Sequence, residues 1–407
     1  MKTVIIGGGA AGMLSAYFCA LNGEDTLLIE KNSKLGKKLY ITGKGRCNVT
    51  NDCDEEEFLQ NVVTNKPFMK GAIWSFPPSE MMEFLQNGGL AIKTERGNRV
   101  FPLSDKSSDV IKCIEKQMLS VGVKILLDCV VKDILYQDGT VKEVLTTQGN
   151  FECDKVVVCT GGVSYPATGS TGDGYKFAKK AGHTVTPIRP ALCGIDLQGK
   201  NFANLAGLSL KNVAITVFKN SKIIYNDFGE ILFTHTGVSG PLIISASSYV
   251  SASGCGEYVI SIDLKPALDE KTLDARLLRD FAKFKNKNLK NAMIELLPKS
   301  LIPEVIAHAQ VSGEINVSEL SAVNRKKLLN SLKNLSYKVI KLRPIEECIV
   351  TGGGVNVKEI NPKTMESKLV KGLYFAGEVL DVDALTGGFN LQCAFSTAYC
   401  AGNASKK

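Results

Sequence analysis

The 407-residue sequence has little histidine and no pattern of paired cysteines. Its three histidines, His183, His235 and His308, are far apart, and its twelve cysteines include no CxxC and no pair at metal-ligand spacing. No zinc site, redox dithiol or secreted disulfide framework is therefore expected, and no metal is assigned. The cysteines are expected as small buried hydrophobes. No apolar run is long enough to span a bilayer, no low-complexity tract occurs and no internal repeat is visible. The first strand starts at Thr3, which leaves no room ahead of it for a targeting segment and makes the cytoplasm the expected compartment. What remains, 44% hydrophobic and 22% charged residues, describes a globular chain large enough for two cores. Its formal charge of +8 permits an anionic ligand or a nucleic acid without requiring either.

Glycine, by contrast, is present at chosen places. Lys2 to Glu30 reads as a strand, Thr3–Ile6, the run Gly7-Gly8-Gly9-Ala10-Ala11-Gly12, an apolar helix to about Asn22, and a second strand, Thr26–Ile29, ending on Glu30 and followed by Lys31. In such a βαβ unit Gly7 allows a tight turn, Gly9 keeps side chains away from a pyrophosphate, and Gly12 lets helix and strand pack closely. The free N–H groups and dipole of the helix start suit a phosphate, and Glu30 is placed to accept hydrogen bonds from a ribose. A glycine-rich turn in an ordinary α/β domain would account for the glycines. It would not account for strand, helix and acid arriving together at roughly 20 residues' separation.

The next segment, LGKKLYITGKGRCNVTN from Leu35 to Asn51, packs three glycines, three lysines and an arginine together. Either it is a basic surface loop or it lies along a phosphate-bearing cofactor. In the second case Gly43 permits close backbone approach, Lys38 and Arg46 balance charge, and Cys47 and Asn48 sit at the polar edge of a ring. Further on, Pro77 to Asn87 and Asp109 to Val121 read as helices, and Arg99–Pro102 as a short strand. Val123–Leu127, Val130–Tyr136 and Val141–Thr147 read as an antiparallel meander, with Asp138-Gly139 and Gly149-Asn150 as its turns, returning to a buried strand at Val156–Cys159. Thr160-Gly161-Gly162 follows that strand and opens the loop SYPATGSTGDGY, Ser164 to Tyr175, which is long for a plain connection.

Pro187 and Pro190 mark a boundary. Beyond them come the short strands Leu192–Leu197, Leu208–Phe218, Ile223–Tyr225, Glu230–Phe233 and Tyr258–Leu264, the pattern of a small barrel or sandwich, and then a lysine-rich helical stretch from Pro266 to about Leu342. The final sixty residues resume the first pattern: VTGGGV, then the buried strand LYFAGE ending on Gly377-Glu378, then Gly387-Gly388-Phe389-Asn390-Leu391 opening a last helix.

GKKL followed by GRCNVTN, TGG with SYPATGSTGDGY, LFTHTGVSGP, VTGGGV and LYFAGEVLDVDALTGGFN resemble, in order and spacing, the BaiN-like family of FAD-dependent oxidoreductases. Lys44 departs from the glycine common there. The resemblance covers nearly the whole chain. It implies an α/β fold: a Rossmann-like FAD-binding domain at 1–188 and 346–407, with its parallel sheet and meander, and an inserted domain at 189–345, β-rich over 189–265 and helical over 266–345. It also implies FAD held without a covalent link. Val131 would cap the adenine, Thr160, Gly161 and Gly162 would form a second flavin turn, and Glu378 would hold the ribityl or phosphate end. Gly387, Gly388, Asn390 and Leu391 would place a helix start at the flavin pyrimidine.

The resemblance implies reduction, or the reverse oxidation, of a small apolar substrate such as a conjugated ketone, docked between the flavin and the inserted domain. NAD(P)H would serve as a transient donor, because only one dinucleotide unit is present. Of the histidines, His235, in FTHTGVSGP, is the candidate proton donor, with Tyr165 in reserve. His235 can equally serve to tie down its turn. Two other functions stay open. Lys283, Lys285, Lys287, Lys290, Arg325, Lys326 and Lys327 could form a face for RNA, although solvated helices often look like this, and a nucleic-acid partner is not the first expectation. A flavin-binding redox sensor without turnover is the other.

Overall fold

A computed structural model describes residues 1–199 and 201–406. The chain divides into two compact units, one formed by Met1–Ala191 with Pro344–Lys407 and the other by Leu192–Arg343. The first limit falls after Ala191, beyond the expected 188, because Arg189–Ala191 pairs antiparallel with Val350–Gly352 and so belongs to the first unit.

The first unit is built on a five-stranded parallel sheet in the order Leu373–Phe375, Lys155–Val158, Lys2–Ile6, Asp25–Ile29, Lys124–Leu126. Its central strands are continuous apolar runs, as strands covered on both faces must be. Ile5, Val156, Val157, Val158 and Phe375 are fully buried. Lys124–Leu126 pairs parallel with Asp25–Ile29, so this segment is an edge strand of the main sheet and not part of the meander. The meander itself is Val131–Gln137, Thr140–Thr146 and Gly149–Glu152, and Gly149-Asn150 begins its third strand. The opening helix, Ala10–Leu21, meets the C-terminal helix, Phe389–Gly402, so closely that a Cβ on Gly402 would lie 2.5 Å from Phe18 Cβ. Phe18, Phe76 and Tyr399 pack ring to ring beside that contact.

The second unit holds a closed six-stranded antiparallel barrel in the order Ile195–Leu197, Gly237–Ser239, Lys222–Phe233, Ser209–Lys219, Tyr258–Asp263, Leu335–Leu342. Three features depart from the sequence reading. Ile223–Tyr225 and Glu230–Phe233 are one strand, since Ile215 and Ala214 continue the ladder through Asp227 and Phe228. Gly237–Ser239 is a strand where a turn was expected. The stretch expected to be helical to Leu342 has helices at Glu270–Lys283, Leu289–Ala292, Ile302–Ala309 and Ala322–Lys333, but it ends in Leu335–Leu342, the strand that closes the barrel.

Of the twelve cysteines, all unpaired by disulfides, only Cys53 is not buried. Burial pushes thiols such as Cys47 and Cys159 up to about 12, which leaves them unreactive. Among the described residues no group could hold a metal ion and no helix is long and apolar enough to cross a membrane.

At the amino ends of the central strands lies a buried ion pair. Lys155 Nζ is 3.2 Å from Glu24, and that carboxylate also accepts from Thr3 Oγ1 and Ser405 Oγ. Lys155 lies 5.0 Å above the Tyr374 ring. Lys155→Met should leave Glu24 buried and uncompensated and cost about 3–5 kcal/mol in urea unfolding, with Lys155→Met/Glu24→Gln recovering most of it. A loss below about 1 kcal/mol for the single variant would show that the pair is not holding this edge.

Candidate functional site

Three neighbouring strands of the parallel sheet run into glycine turns at the same, carboxyl, end: Gly7–Gly9 after Ile6, Thr160–Gly162 after Val158, and Gly377 after Phe375. Gly7, Gly161 and Gly377 have φ of +103°, +70° and +80°, conformations that side chains disfavour. The turns also pack against one another. A Cβ on Gly7 would lie 2.6 Å from the Cys159 carbonyl oxygen, one on Gly12 1.7 Å from the Gly7 oxygen, and one on Gly377 2.7 Å from Ala11 Cβ. A Cβ on Gly162 would meet Thr351 Oγ1 at 2.3 Å.

Gly9 differs from all of these. Its φ is −82° and a Cβ there would meet nothing within 4 Å. Nothing in the chain itself requires glycine at this position, and the opening helix starts on it with no side-chain cap. Open space over uncapped N–H groups fits a pyrophosphate. The C-terminal helix likewise starts on Gly388, at φ +101°, without a side-chain cap. Around these turns Asn48 Oδ1, Thr160 Oγ1 and Tyr175 OH are buried without a hydrogen-bond partner, each at a cost of about 1–3 kcal/mol unless a ligand satisfies it. The residues present thus fit a dinucleotide cofactor.

The charged candidates are held differently from the sequence expectation. Glu30 is buried and accepts from Gly8 N at 2.6 Å and from Asn32 N and Nδ2, which fixes it at the end of the second strand with one acceptor position left for a ribose. Lys31 donates to Thr171 and Asp173 at 2.6 and 2.7 Å. Lys38 pairs with Glu378 at 2.7 Å and donates to Ser164. Burial opposes ionisation of Glu378, but Lys38, the Thr351 amide and the Ser164 hydroxyl outweigh it and hold the carboxyl below its usual range. Arg46 is clamped between Glu95 and Asp105, above the Phe101 ring. Each expected phosphate cation therefore already has a carboxylate, and backbone N–H groups remain as the anion donors.

Gly43, Lys44, Gly45 and Cys47 all take left-handed φ between 57° and 84°, which explains why glycine would be relaxed at position 44. Asn390 does not present its side chain to a ligand. Its Oδ1 accepts from Ala384 N, and its Nδ2 donates to the Ala384 and Leu385 carbonyls, clamping the loop before Gly387 and Gly388. Leu391 packs against the core of this unit. Val131 lines a cavity of about 430 Å³ with Val130, Asp133, Asp173 and Phe177.

Tyr165 lies in the first unit next to Ser164, half-buried, at a left-handed φ of 51° that is unusual for an aromatic residue. His235 lies in the barrel unit, exposed, and makes no hydrogen bond among the described residues. His183, by contrast, is buried between Glu359 and Ser367, and His308, though exposed, is bonded to Ser331 and the Ser336 amide. Sequence reasoning passed over Thr351, whose hydroxyl receives the Val163 and Ser164 amides, and the pair Arg189–Asp383. The sequence signal for Thr351 and Asp383 was their position in VTGGGV and just before LTGG, and for Arg189 only its place between Pro187 and Pro190.

Gly9→Val should fold normally, since the added Cβ enters open space, yet lose its flavin, read as the flavin-to-protein ratio after desalting together with a melting temperature equal to that of flavin-stripped wild type. Retention of full flavin would remove the first turn from the cofactor site.

The HI0933-like protein Rossmann domain model matches residues 1–404. The chain is 29% identical over 407 residues to a 3-dehydro-bile acid delta(4,6)-reductase of Clostridium scindens, covering 98% of each chain. It is 30% identical over 413 residues to a ribosomal RNA dihydrouridine synthase of Haemophilus influenzae, covering 100% of this chain and 99% of the relative. In fold it is similar to a 3-ketosteroid-delta4-(5alpha)-dehydrogenase from Rhodococcus jostii, with a TM-score of 0.55 at 14% identity, covering 100% of this chain and 96% of that one. With a family model spanning nearly its whole length and a glycine cradle that fits the cofactor, the chain belongs to the HI0933-like Rossmann family of FAD-dependent oxidoreductases.

Proposed function

We propose that the protein reduces a carbon–carbon double bond conjugated to a carbonyl group. The observation that carries this is the cradle of three glycine turns, open over Gly9, at the carboxyl end of the sheet. Two relatives of nearly equal identity support the choice of reaction, because a delta(4,6)-reductase acting on a 3-dehydro-bile acid and a dihydrouridine synthase both saturate such a bond. FAD, when bound, supplies the hydride. The chain's task is to hold the substrate, draw charge toward the carbonyl oxygen and deliver a proton to the α-carbon. His235 and Tyr165 are the proposed proton donors.

On the first reading the substrate is a small conjugated ketone. A second reading, a uracil base carried in RNA, is favoured by the distribution of charge. Leu192–Arg343 holds 20 Lys and Arg against 13 Asp and Glu, while the rest of the chain holds 29 against 28, so nearly all of the +8 sits on the inserted unit. A polyanion would be drawn to that unit. Against it, Lys283, Lys290 and Arg325 of the expected basic face are paired with Glu295, Glu314 and Asp274. Lys285, Lys326 and Lys327 have no ion pair among the described residues.

The first unit offers one strand–glycine–helix–acid unit, so NADH or NADPH is proposed to reduce the flavin from the substrate's own position, giving ping-pong kinetics. A stoichiometric NADPH complex with the oxidised enzyme would count against this. The anaerobically reduced protein, mixed separately with a 4-en-3-one steroid and with uridine-containing RNA, should be reoxidised stoichiometrically by one of them. RNA as substrate should bind more weakly as salt rises. Reoxidation by neither would leave a redox sensor and end the reductase reading. His235→Ala and Tyr165→Phe should retain flavin, and the variant lacking the true donor should be reoxidised about a hundredfold more slowly.

A further inference from the structure

The first unit holds a half-buried guanidinium that no sequence motif announced. Arg189 stands on the short strand Arg189–Ala191, whose partner Val350–Gly352 carries Thr351, the residue that joins the second flavin turn to Glu378. Its side chain is 26% exposed. A Cβ on Gly352 would lie 2.7 Å from the guanidinium carbon, so the arginine lies flat on bare backbone that only glycine leaves clear. One nitrogen, Nη2, is fixed by Asp383 at 2.8 Å and Thr64 at 3.0 Å. Nε and Nη1 have no hydrogen bond among the described residues.

Asp383 is completely buried. Its backbone carbonyl accepts from Val63 N and Thr64 N, and the next residue, Ala384, is held by Asn390, at the start of the C-terminal helix. Its Oδ2 is buried with no partner. A buried carboxylate is tolerated only where it is committed to a cation, and here the commitment orients one arginine. The result is a rigid cation with spare donors, between the VTGGGV turn and the loop that leads to Gly387 and Gly388. The uncapped start of the C-terminal helix would supply separate donors for the pyrimidine edge of a bound flavin.

We propose that Arg189 is a catalytic residue that donates hydrogen bonds to the carbonyl oxygen of the substrate, and that Asp383 is the positioning residue that aims it. This rests on the reading of the protein as a reductase of conjugated double bonds. In that reaction a hydride forms the new C–H bond at the β-carbon, and the π electrons move to join the α-carbon to the carbonyl carbon and leave the negative charge on oxygen. Arg189 stabilises that oxygen and keeps its own protons, as an arginine does. The α-carbon then takes a proton from the donor, His235 or Tyr165, so that one hydride and one proton account for the saturated bond.

The test uses the flavin-loaded protein and para-nitrophenol, whose phenolate mimics the enolate. Wild type should bind the phenolate in preference to the phenol and lower the apparent pKa of the bound probe. Arg189→Met should abolish that preference, Arg189→Lys should keep part of it, and Asp383→Asn should weaken it, all with normal flavin content and an unchanged flavin potential. Reoxidation of the reduced Arg189→Met protein by 2-cyclohexen-1-one should be about 10²–10³-fold slower. A phenolate preference that survives Arg189→Met and Arg189→Lys, its absence in wild type, or a potential that falls in step with the loss of charge would each overturn the assignment. A phenolate preference that depends on Arg189, with no reoxidation by any enone or uracil, would instead overturn the reductase reading and leave the oxyanion site standing.

Discussion

The near-contact between Gly12 and the Gly7 carbonyl oxygen governs the whole carboxyl edge of the parallel sheet. With no side chain at Gly12 the opening helix settles onto the first turn, and Ala11 is carried into the space left by Gly377. The second turn is drawn in by the same means, since Gly7 itself lies against the Cys159 carbonyl. Three strands from distant parts of the sequence thus bring their N–H groups together without intervening side chains. Once the turns are locked by backbone contact, Gly9 can be left open, and the cofactor need not organise its own site.

The glycines of this cradle were legible in the sequence because the requirement is local: a left-handed φ or an absent Cβ restricts the residue type at that position. The roles of the charged residues were not legible. Lys38 meets Glu378 across 340 residues and Arg46 meets Asp105 across 59, so nothing in the local pattern said that these cations were already neutralised. In the barrel the same distinction applies. Asn226-Asp227-Phe228 has the composition of a turn and is exposed, yet it continues a strand because the neighbouring ladder holds it. Leu335–Leu342 alternates buried and exposed positions in part, but its lysines and its helical neighbours hid a strand whose partners lie at 195–197 and 258–263.

The internal pairing of Lys31, Lys38 and Arg46 has a chemical consequence. Lysines free to swing onto a phosphate would bind many anions, whereas fixed N–H groups at helix starts accept an anion only where its oxygens match their spacing. The ion pairs keep the cradle electrically quiet and shape it at the same time, with Glu378 bridging Lys38, Ser164 and the Thr351 amide. Within this neutral surround Arg189 is the exception: its carboxylate is buried on one side and its remaining donors are unspent.

The charge balance of the two units extends this division of labour. The unit that holds the cofactor is close to neutral overall, 29 basic against 28 acidic residues, so a multiply negative dinucleotide is held by geometry and not by net attraction. The inserted unit carries the excess, and an attraction of that kind acts over about a Debye length and is indifferent to the detail of what it attracts. Net charge and close-fitting backbone geometry therefore reside in different parts of the chain. Relatives named for a bile acid and for ribosomal RNA stand at almost the same identity to this chain, so overall likeness does not select the substrate, which must be argued from the residues of the site itself.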